Sequence, residues 1–220
     1  LVISAILLAM LVLDPYVAVW RSGLPDPVEA AFSFLNRFGK SDWILWGTGL
    51  FFLGNLARQA LGAARRARWR DWSRAAAAGY VFLAVAISGI VAVLLKYGLG
   101  RARPSLFAEV GPYSFQFITW EPSWASFPSG HATTAMALGV ALGLLYPRLM
   151  VLFVCAGLWI ALSRIVTGAH YPSDLIAGCL LGGLSAWVIA RAFAQARIVF
   201  CFDSEGRLTR RARALARGAR

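Results

Sequence analysis

Lys96, Arg103, His131, Arg164, His170 and Asp174 are polar residues set at the margins of long apolar runs, and His131 and His170 are the chain's only histidines. Lys96, Arg103 and Arg164 offer positive charge for an oxyanion, and the arginine fork matches phosphate geometry bidentately. Pro128-Ser129-Gly130 immediately precedes an apolar run. Backbone N–H groups and the positive end of a helix would face an anion there, and Gly130 lets the backbone come close. Asp174 follows His170 by four residues, with Pro172 between them suited to a helix start. Its carboxylate can fix one imidazole tautomer and leave the other nitrogen free to attack. His131 is then left to protonate a departing oxygen, a step worth about 10²- to 10⁴-fold in rate.

Each of these residues has an ordinary explanation when taken alone. Lysine and arginine at helix ends snorkel to headgroups, and an isolated histidine is usually a hydrogen-bonded packing residue. Their convergence depends on the elements that carry them. The 220 residues are 59% hydrophobic and 15% charged, with a mean hydropathy of +0.65. That leaves too little polar sequence for the shell of a soluble domain. A membrane-spanning helix needs about 20 apolar residues, and the windows 1–20, 43–61, 76–96, 131–146, 149–167 and 174–194 meet or approach this. The expected fold is an all-α polytopic bundle of six transmembrane helices in one domain, residues 1–220, with a basic tail at 195–220. Alternating spans place the end of the third, the start of the fourth, the end of the fifth and the start of the sixth on one face. Polar groups beside spans are costly and mark function, and here every histidine falls on that face.

The formal charge is +12, and 15 of the 22 basic residues lie at 58–74, at Arg148 and from Arg191 to Arg220. If the first helix runs outward, all three segments are cytoplasmic, as the positive-inside rule requires. They read as topology signals and contacts to anionic lipid, not as a nucleic-acid surface. The six titrating groups then face the periplasm of a bacterial inner membrane. Cys155, Cys179 and Cys201 show no disulfide or metal spacing and are expected as packing residues. No metal or cofactor is expected. Asp14-Pro15 interrupts the first apolar run, which lacks a charged leader and is read as a spanning helix, not a signal peptide.

Between the first two spans, PDPVEAAFSFLNRFGK has Asp26 placed as an N-cap, Pro27 in the first turn and Glu29 as a capping-box acid, followed by apolar residues at helical spacing. A short outer amphipathic helix is expected, either anchoring a loop or shaping an entry for lipid. The segment 98–128 is rich in glycine, proline and aromatic residues. It reads as an interfacial aromatic belt, or as a lid or acyl-chain contact.

Lys96 to Arg103-Pro104, Pro128-Ser129-Gly130-His131, and Ser163-Arg164 to His170 to Asp174 together form K-x6-R-P, P-S-G-H and S-R-x5-H-x3-D. This resembles the signature of the type 2 phosphatidic acid phosphatase superfamily, which also contains vanadium haloperoxidases and glucose-6-phosphatase. No signature position is substituted, and the motifs cover about a third of the chain. A lone P-S-G-H would be weak; three motifs in order and in register are specific. The resemblance implies a metal-independent phosphatase in which His170 forms a phosphohistidine, Asp174 supports it and His131 protonates the leaving group. Lys96, Arg103, Arg164, Ser129 and Gly130 would hold the phosphoryl oxygens. The choice of His170 over His131 as nucleophile leans on the family and on the Asp174 partner. Arg101 lies outside the signature and is expected at the membrane interface.

The expected activity is removal of a mono- or diphosphate from a membrane lipid. Undecaprenyl diphosphate and phosphatidylglycerophosphate lead because they serve general bacterial needs; phosphatidate and a lipid A phosphate remain open. Two alternatives use the same site: transfer of the phosphoryl or headgroup to an acceptor other than water, and a transporter that binds a phosphate headgroup without breaking it. A transporter predicts polar residues along a path through the bilayer, and the inner halves of these spans are nearly all Ala, Leu, Val and Gly.

Overall fold

In a computed structural model, which describes residues 2–21, 23–61 and 68–211, the chain is mostly helical. The helices are α1 (Val2–Arg21), α2 (Asp26–Asn36), α3 (Asp42–Ala60), α4 (Arg68–Leu99), α5 (Phe107–Val110), α6 (Gly130–Leu145), α7 (Met150–Val166) and α8 (Pro172–Gln195). Among the described residues, four stretches are long and apolar enough to cross a membrane: Ile3–Arg21, Asp71–Leu99, Pro147–Val166 and Pro172–Gln195. The 16-residue α6 is apolar but shorter. Each expected window falls on a helix, and α4 extends well beyond the expected 76–96 at its N-terminal end.

The centre is α6. Its residues are apolar around the whole circumference, and most of them are buried, from Ala132 to Leu145, as befits a helix enclosed on all sides. Small residues allow the enclosure. A Cβ at Gly178 would approach Ser129 O to 2.5 Å, and one at Gly182 would collide with Thr133 O. On the opposite flank, a Cβ at Gly139 would lie 2.7 Å from Phe153 O of α7. Without a hydrophobic drive between helices in lipid, such backbone proximity supplies the association through dispersion contacts. The Tyr80 hydroxyl of α4 donates to Ala186 O of α8 at 3.0 Å and closes the third side. Leu8 and Leu11 of α1, Trp46 and Leu50 of α3, and Val151 and Trp159 of α7 point outward and are exposed. These faces suit lipid.

Two local readings are corrected. Asp26 is not the N-cap of α2: Pro25 holds that position, no side chain among the described residues caps the helix, and Glu29 pairs with Arg21 at 3.0 Å. An ion pair to the preceding helix has displaced the capping box. Asp14-Pro15, which interrupts the apolar run, lies within a continuous helix, in keeping with the reading of that window as one helix. The all-α expectation gives way in the tail, where β1 (Phe200–Phe202) and β2 (Leu208–Arg210) form an antiparallel hairpin. Phe200 of that hairpin packs edge-on against Tyr80 at 4.9 Å. Much of the basic cluster at 58–74 and the tail beyond Arg211 lie outside the described residues.

Candidate active site

Each polar side chain is delivered by the end of a helix. Lys96 lies in the last turn of α4 and Arg164 in the last turn of α7. His131 is in the first turn of α6, and Asp174 is the third residue of α8 behind Pro172. Arg103 and His170 stand in the adjoining loops. The four termini meet at one end of the bundle. Gly130 and Lys96 are in contact range, since a Cβ on Gly130 would lie 3.3 Å from the Lys96 Nζ. The charges of Lys96, Arg164, His131, His170 and Asp174 act on one another across this space, as does Arg103 on Lys96 and Arg164.

A cavity of about 640 Å³ opens onto this cluster. Lys96, Gly130 and His131 line its polar end, while Leu45 of α3 and Val85 and Ile90 of α4 belong to its apolar wall. Three buried donor atoms of the cluster, Arg103 Nε, Arg164 Nε and Ser129 Oγ, have no hydrogen-bond partner among the described residues. Buried donors of this kind are normally satisfied, so a cluster of them on cationic side chains is suited to an oxyanion. The Ser129 N–H does not belong to that set. It donates to Asp174 O at 3.0 Å and ties α6 to α8, so the first-turn donors from Gly130 onward are those available to an anion.

His170 is 3% exposed, and its Nδ1 stands 3.6 Å from Asp174 Oδ2, beyond hydrogen-bond length, with no hydrogen-bond partner among the described residues. Burial pulls the His170 pKa down to about 4; Asp174 opposes this, and Lys96 and Arg164 reinforce it. The ring is therefore neutral at physiological pH, the state a nitrogen nucleophile needs. Asp174 Oδ2 also accepts from Ser126 Oγ at 2.6 Å and from Tyr171 N at 2.9 Å. The second of these is an acid at N3 reaching back to the N-cap, so the start of α8 itself aims the carboxylate.

Arg101 overturns its expected place at the interface. It is 0% exposed, and its N–H groups make five hydrogen bonds: two to Pro112 O and one each to Ser173 Oγ, Asp174 Oδ1 and Asp14 Oδ2. Its guanidinium also lies over the Tyr171 ring at 4.5 Å. Burial disfavours the charge, but Asp174 and Asp14 outweigh it and hold the Arg101 pKa above its ordinary value. Burial lowers that of Arg103, with Asp174 in opposition. Asp14 and Ser126 were missed at the sequence level as well. A single carboxylate within an apolar helix is the signal that could have found Asp14.

Two segments outside the long helices reach the cluster. Gly98 to Ser126 folds back through backbone hydrogen bonds such as Ala102 N to Ser114 O and Ser126 N to Arg101 O, at 3.0 and 3.1 Å. It is an ordered cap fastened by Arg101. The amphipathic α2 docks on α7, where the Ser163 hydroxyl donates to Asn36 Oδ1 at 2.6 Å and Asn36 Nδ2 donates to Thr167 Oγ1 at 3.2 Å. Gly39, just after α2, is thereby pressed against His131.

A family profile described as the PAP2 superfamily matches residues 77–198, more than half of the chain and all three motifs. The chain belongs to the PAP2 superfamily. This PAP2 protein is 36% identical to the lipid A 1-phosphatase of Rhizobium johnstonii over 208 residues, covering 93% of this chain and 83% of the relative. It is 37% identical to the lipid A 1-phosphatase of Rhizobium etli, with 93% and 87% covered. The undecaprenyl-diphosphatase of Sulfolobus acidocaldarius is 30% identical over 47% of this chain and 52% of its own length. The fold is similar to the crystal structure of Aquifex aeolicus LpxE, with a TM-score of 0.57 and 16% identity over 80% of this chain and 93% of that one. It is also similar to a transmembrane PAP2 type phosphatidylglycerolphosphate phosphatase from Bacillus subtilis, with a TM-score of 0.60 and 18% identity over 89% and 94%. The PAP2 chain described here is a membrane lipid phosphatase.

Proposed function

We propose that this phosphatase removes the phosphate of lipid A, acting at the periplasmic face of a bacterial inner membrane through a phosphohistidine on His170. The observation that carries the substrate is the pair of lipid A 1-phosphatases that align with 93% of this chain at 36% and 37% identity. The undecaprenyl-diphosphatase match reaches only about half of either protein. That moves lipid A ahead of undecaprenyl diphosphate and phosphatidylglycerophosphate, which had led only on general need.

The proposed topology has six spans, with α3 and α6 completing the four longer ones, in a single domain. Arg148, Arg191 and Arg210 gather at the end of the bundle opposite the catalytic cluster. Arg210 lies over Tyr146 just beyond α6, and Arg191 lies over Trp187 near the end of α8. By the positive-inside rule that end is cytoplasmic. The 16 residues of α6 rise about 24 Å, short of a typical hydrocarbon core, which would recess His131 to headgroup depth. Lipid would lie with its phosphate at the polar end of the cavity and acyl chain along the α3–α4 wall.

Lys96, Arg103, Arg164, Ser129 and Gly130 hold the phosphoryl oxygens and stabilise the charge of the trigonal-bipyramidal transition state, a service that preorganised donors perform without reorganisation. His170 Nε2 forms a bond to phosphorus as the bond from phosphorus to the lipid oxygen breaks. His131 gives its proton to that oxygen. The resulting positive charge on the His170 ring is shared with Asp174 through Nδ1–H. Water then attacks the phosphohistidine, His131 takes its proton, and inorganic phosphate leaves with both histidines restored.

A phosphate-release panel with purified protein in detergent tests this reading, using lipid A, undecaprenyl diphosphate, phosphatidylglycerophosphate and phosphatidate. Lipid A is expected to lead in kcat/KM by about 10-fold or more, some 1.4 kcal/mol of transition-state discrimination. A higher value for any of the other three overturns the substrate. Loss of lipid phosphate without matching free phosphate overturns hydrolysis in favour of transfer.

A further inference from the structure

Asp14 sits in the middle of the first helix, 0% exposed, far in sequence from every signature residue. Both of its oxygens act only as acceptors. Oδ1 accepts from Ser173 N at 3.0 Å, and Oδ2 accepts from Ser173 Oγ at 2.6 Å and from Arg101 Nη2 at 2.7 Å. Arg101 in turn passes Nη1 to Asp174 Oδ1 at 2.6 Å and to Ser173 Oγ at 2.7 Å. The result is a closed ring of Asp14, Ser173 and Arg101 attached to the carboxylate behind His170. Burying two carboxylates and a guanidinium is a poor way to gain stability in a chain this apolar, because desolvation offsets most of the attraction. Among the described residues, the hydrogen bonds of the Asp14 side chain go to Ser173 and Arg101 alone.

We propose that Asp14 is a positioning residue for the phosphatase reaction: with Ser173 it clamps Arg101, and Arg101 fixes Asp174 in the rotamer that supports His170. Asp174 Oδ1 is committed to the guanidinium and Oδ2 to Ser126, Tyr171 N and the imidazole. Rotation of the carboxylate would therefore break contacts on both sides. Without Asp14, Arg101 keeps its Pro112 and Asp174 bonds but loses the anion on Nη2, and the carboxylate it carries is held less firmly near Nδ1. The clamp also fastens α1 to the start of α8, so the first helix is a working part of the site and not only an anchor.

The proposal rests on His170 being the nucleophile, and its test separates the two ideas. The rate of phosphohistidine formation is measured in a single turnover with lipid A for wild type, Asp14→Asn, Asp174→Asn and the double variant. Asn at 14 keeps the shape but turns an N–H₂ toward a donor. Asp14→Asn is expected to slow formation about 10-fold with KM within about 2-fold, the loss that a displaced catalytic group brings. In the Asp174→Asn background the same change is expected to cost less than about 2-fold, because its effect runs through Asp174. A merely structural Asp14 would cost the same in both backgrounds, and that result overturns the proposal, as does a wild-type rate in Asp14→Asn. Should Asp14→Asn fail to fold, Ser173→Ala, which removes only the hydroxyl bridge, must show the same dependence on Asp174. Absence of any phosphohistidine in wild type instead overturns the nucleophile assignment on which the clamp depends.

Discussion

Gly39 lies directly against His131: a Cβ at position 39 would come within 2.8 Å of the imidazole Cδ2 and 3.1 Å of Ile160 Cγ2. The loop after the amphipathic helix thus sets how far the proposed general acid can swing. Gly39→Ala must move the ring or the loop by a few tenths of an ångström, and misplacement of a catalytic group is costly. A fall in kcat of about 10-fold with retained folding is expected, and Gly39→Leu should be worse. Wild-type kcat in both variants would detach α2 from catalysis.

The pH profile reports on His170. Its pKa is depressed to about 4, chiefly by burial. A nucleophile must be neutral, so the acid limb of kcat/KM that reports His170 should lie near 4, where the ring takes a proton, and not near 6.5. Asp174 raises the His170 pKa while Lys96 and Arg164 lower it. Asp174→Asn should therefore shift the acid limb further down while reducing the plateau by about 10³-fold. An acid limb near 6.5 in the wild type would mean that His170 is not sequestered as described.

Arg164 presents a buried Nε with no hydrogen-bond partner among the described residues, beside Lys96 and Arg103. An ammonium preserves the charge but not the planar fork. Arg164→Lys is expected to lower kcat/KM by about 10-fold or more, since one oriented oxyanion donor is commonly worth about 10²-fold or more. Unchanged kinetics would reduce Arg164 to a topology signal.

In the proposed mechanism, phosphate charge is met by arginine, lysine and backbone donors. Activity should persist in excess chelator, and vanadate, which takes up trigonal-bipyramidal geometry, should inhibit in competition with lipid. A strict requirement for a divalent cation would contradict the site as described.

The helices were legible because apolar windows of spanning length have few other uses, and the gathering of Lys96, His131, Arg164 and Asp174 at one end of the bundle was legible because each stands at the end of a helix. What escaped was the long-range pairing of polar groups. Arg101 bonds Asp14 across 87 positions of sequence, and no local pattern announces that an arginine beside a membrane interface will turn inward to meet a carboxylate in another helix. The reading of Asp26 as a cap failed for the same reason, since Glu29 finds Arg21 across the turn. The β hairpin was hidden by its three-residue strands, too short for alternation to register within a basic tail.

The most direct measurement is to trap the enzyme with radiolabelled phosphate during turnover and map the label. The account predicts an acid-labile, alkali-stable phosphoryl group on the peptide containing His170, absent in His170→Ala and still present, though formed slowly, in His131→Ala. A label on His131, or near-normal phosphate release by folded His170→Ala, would contradict it.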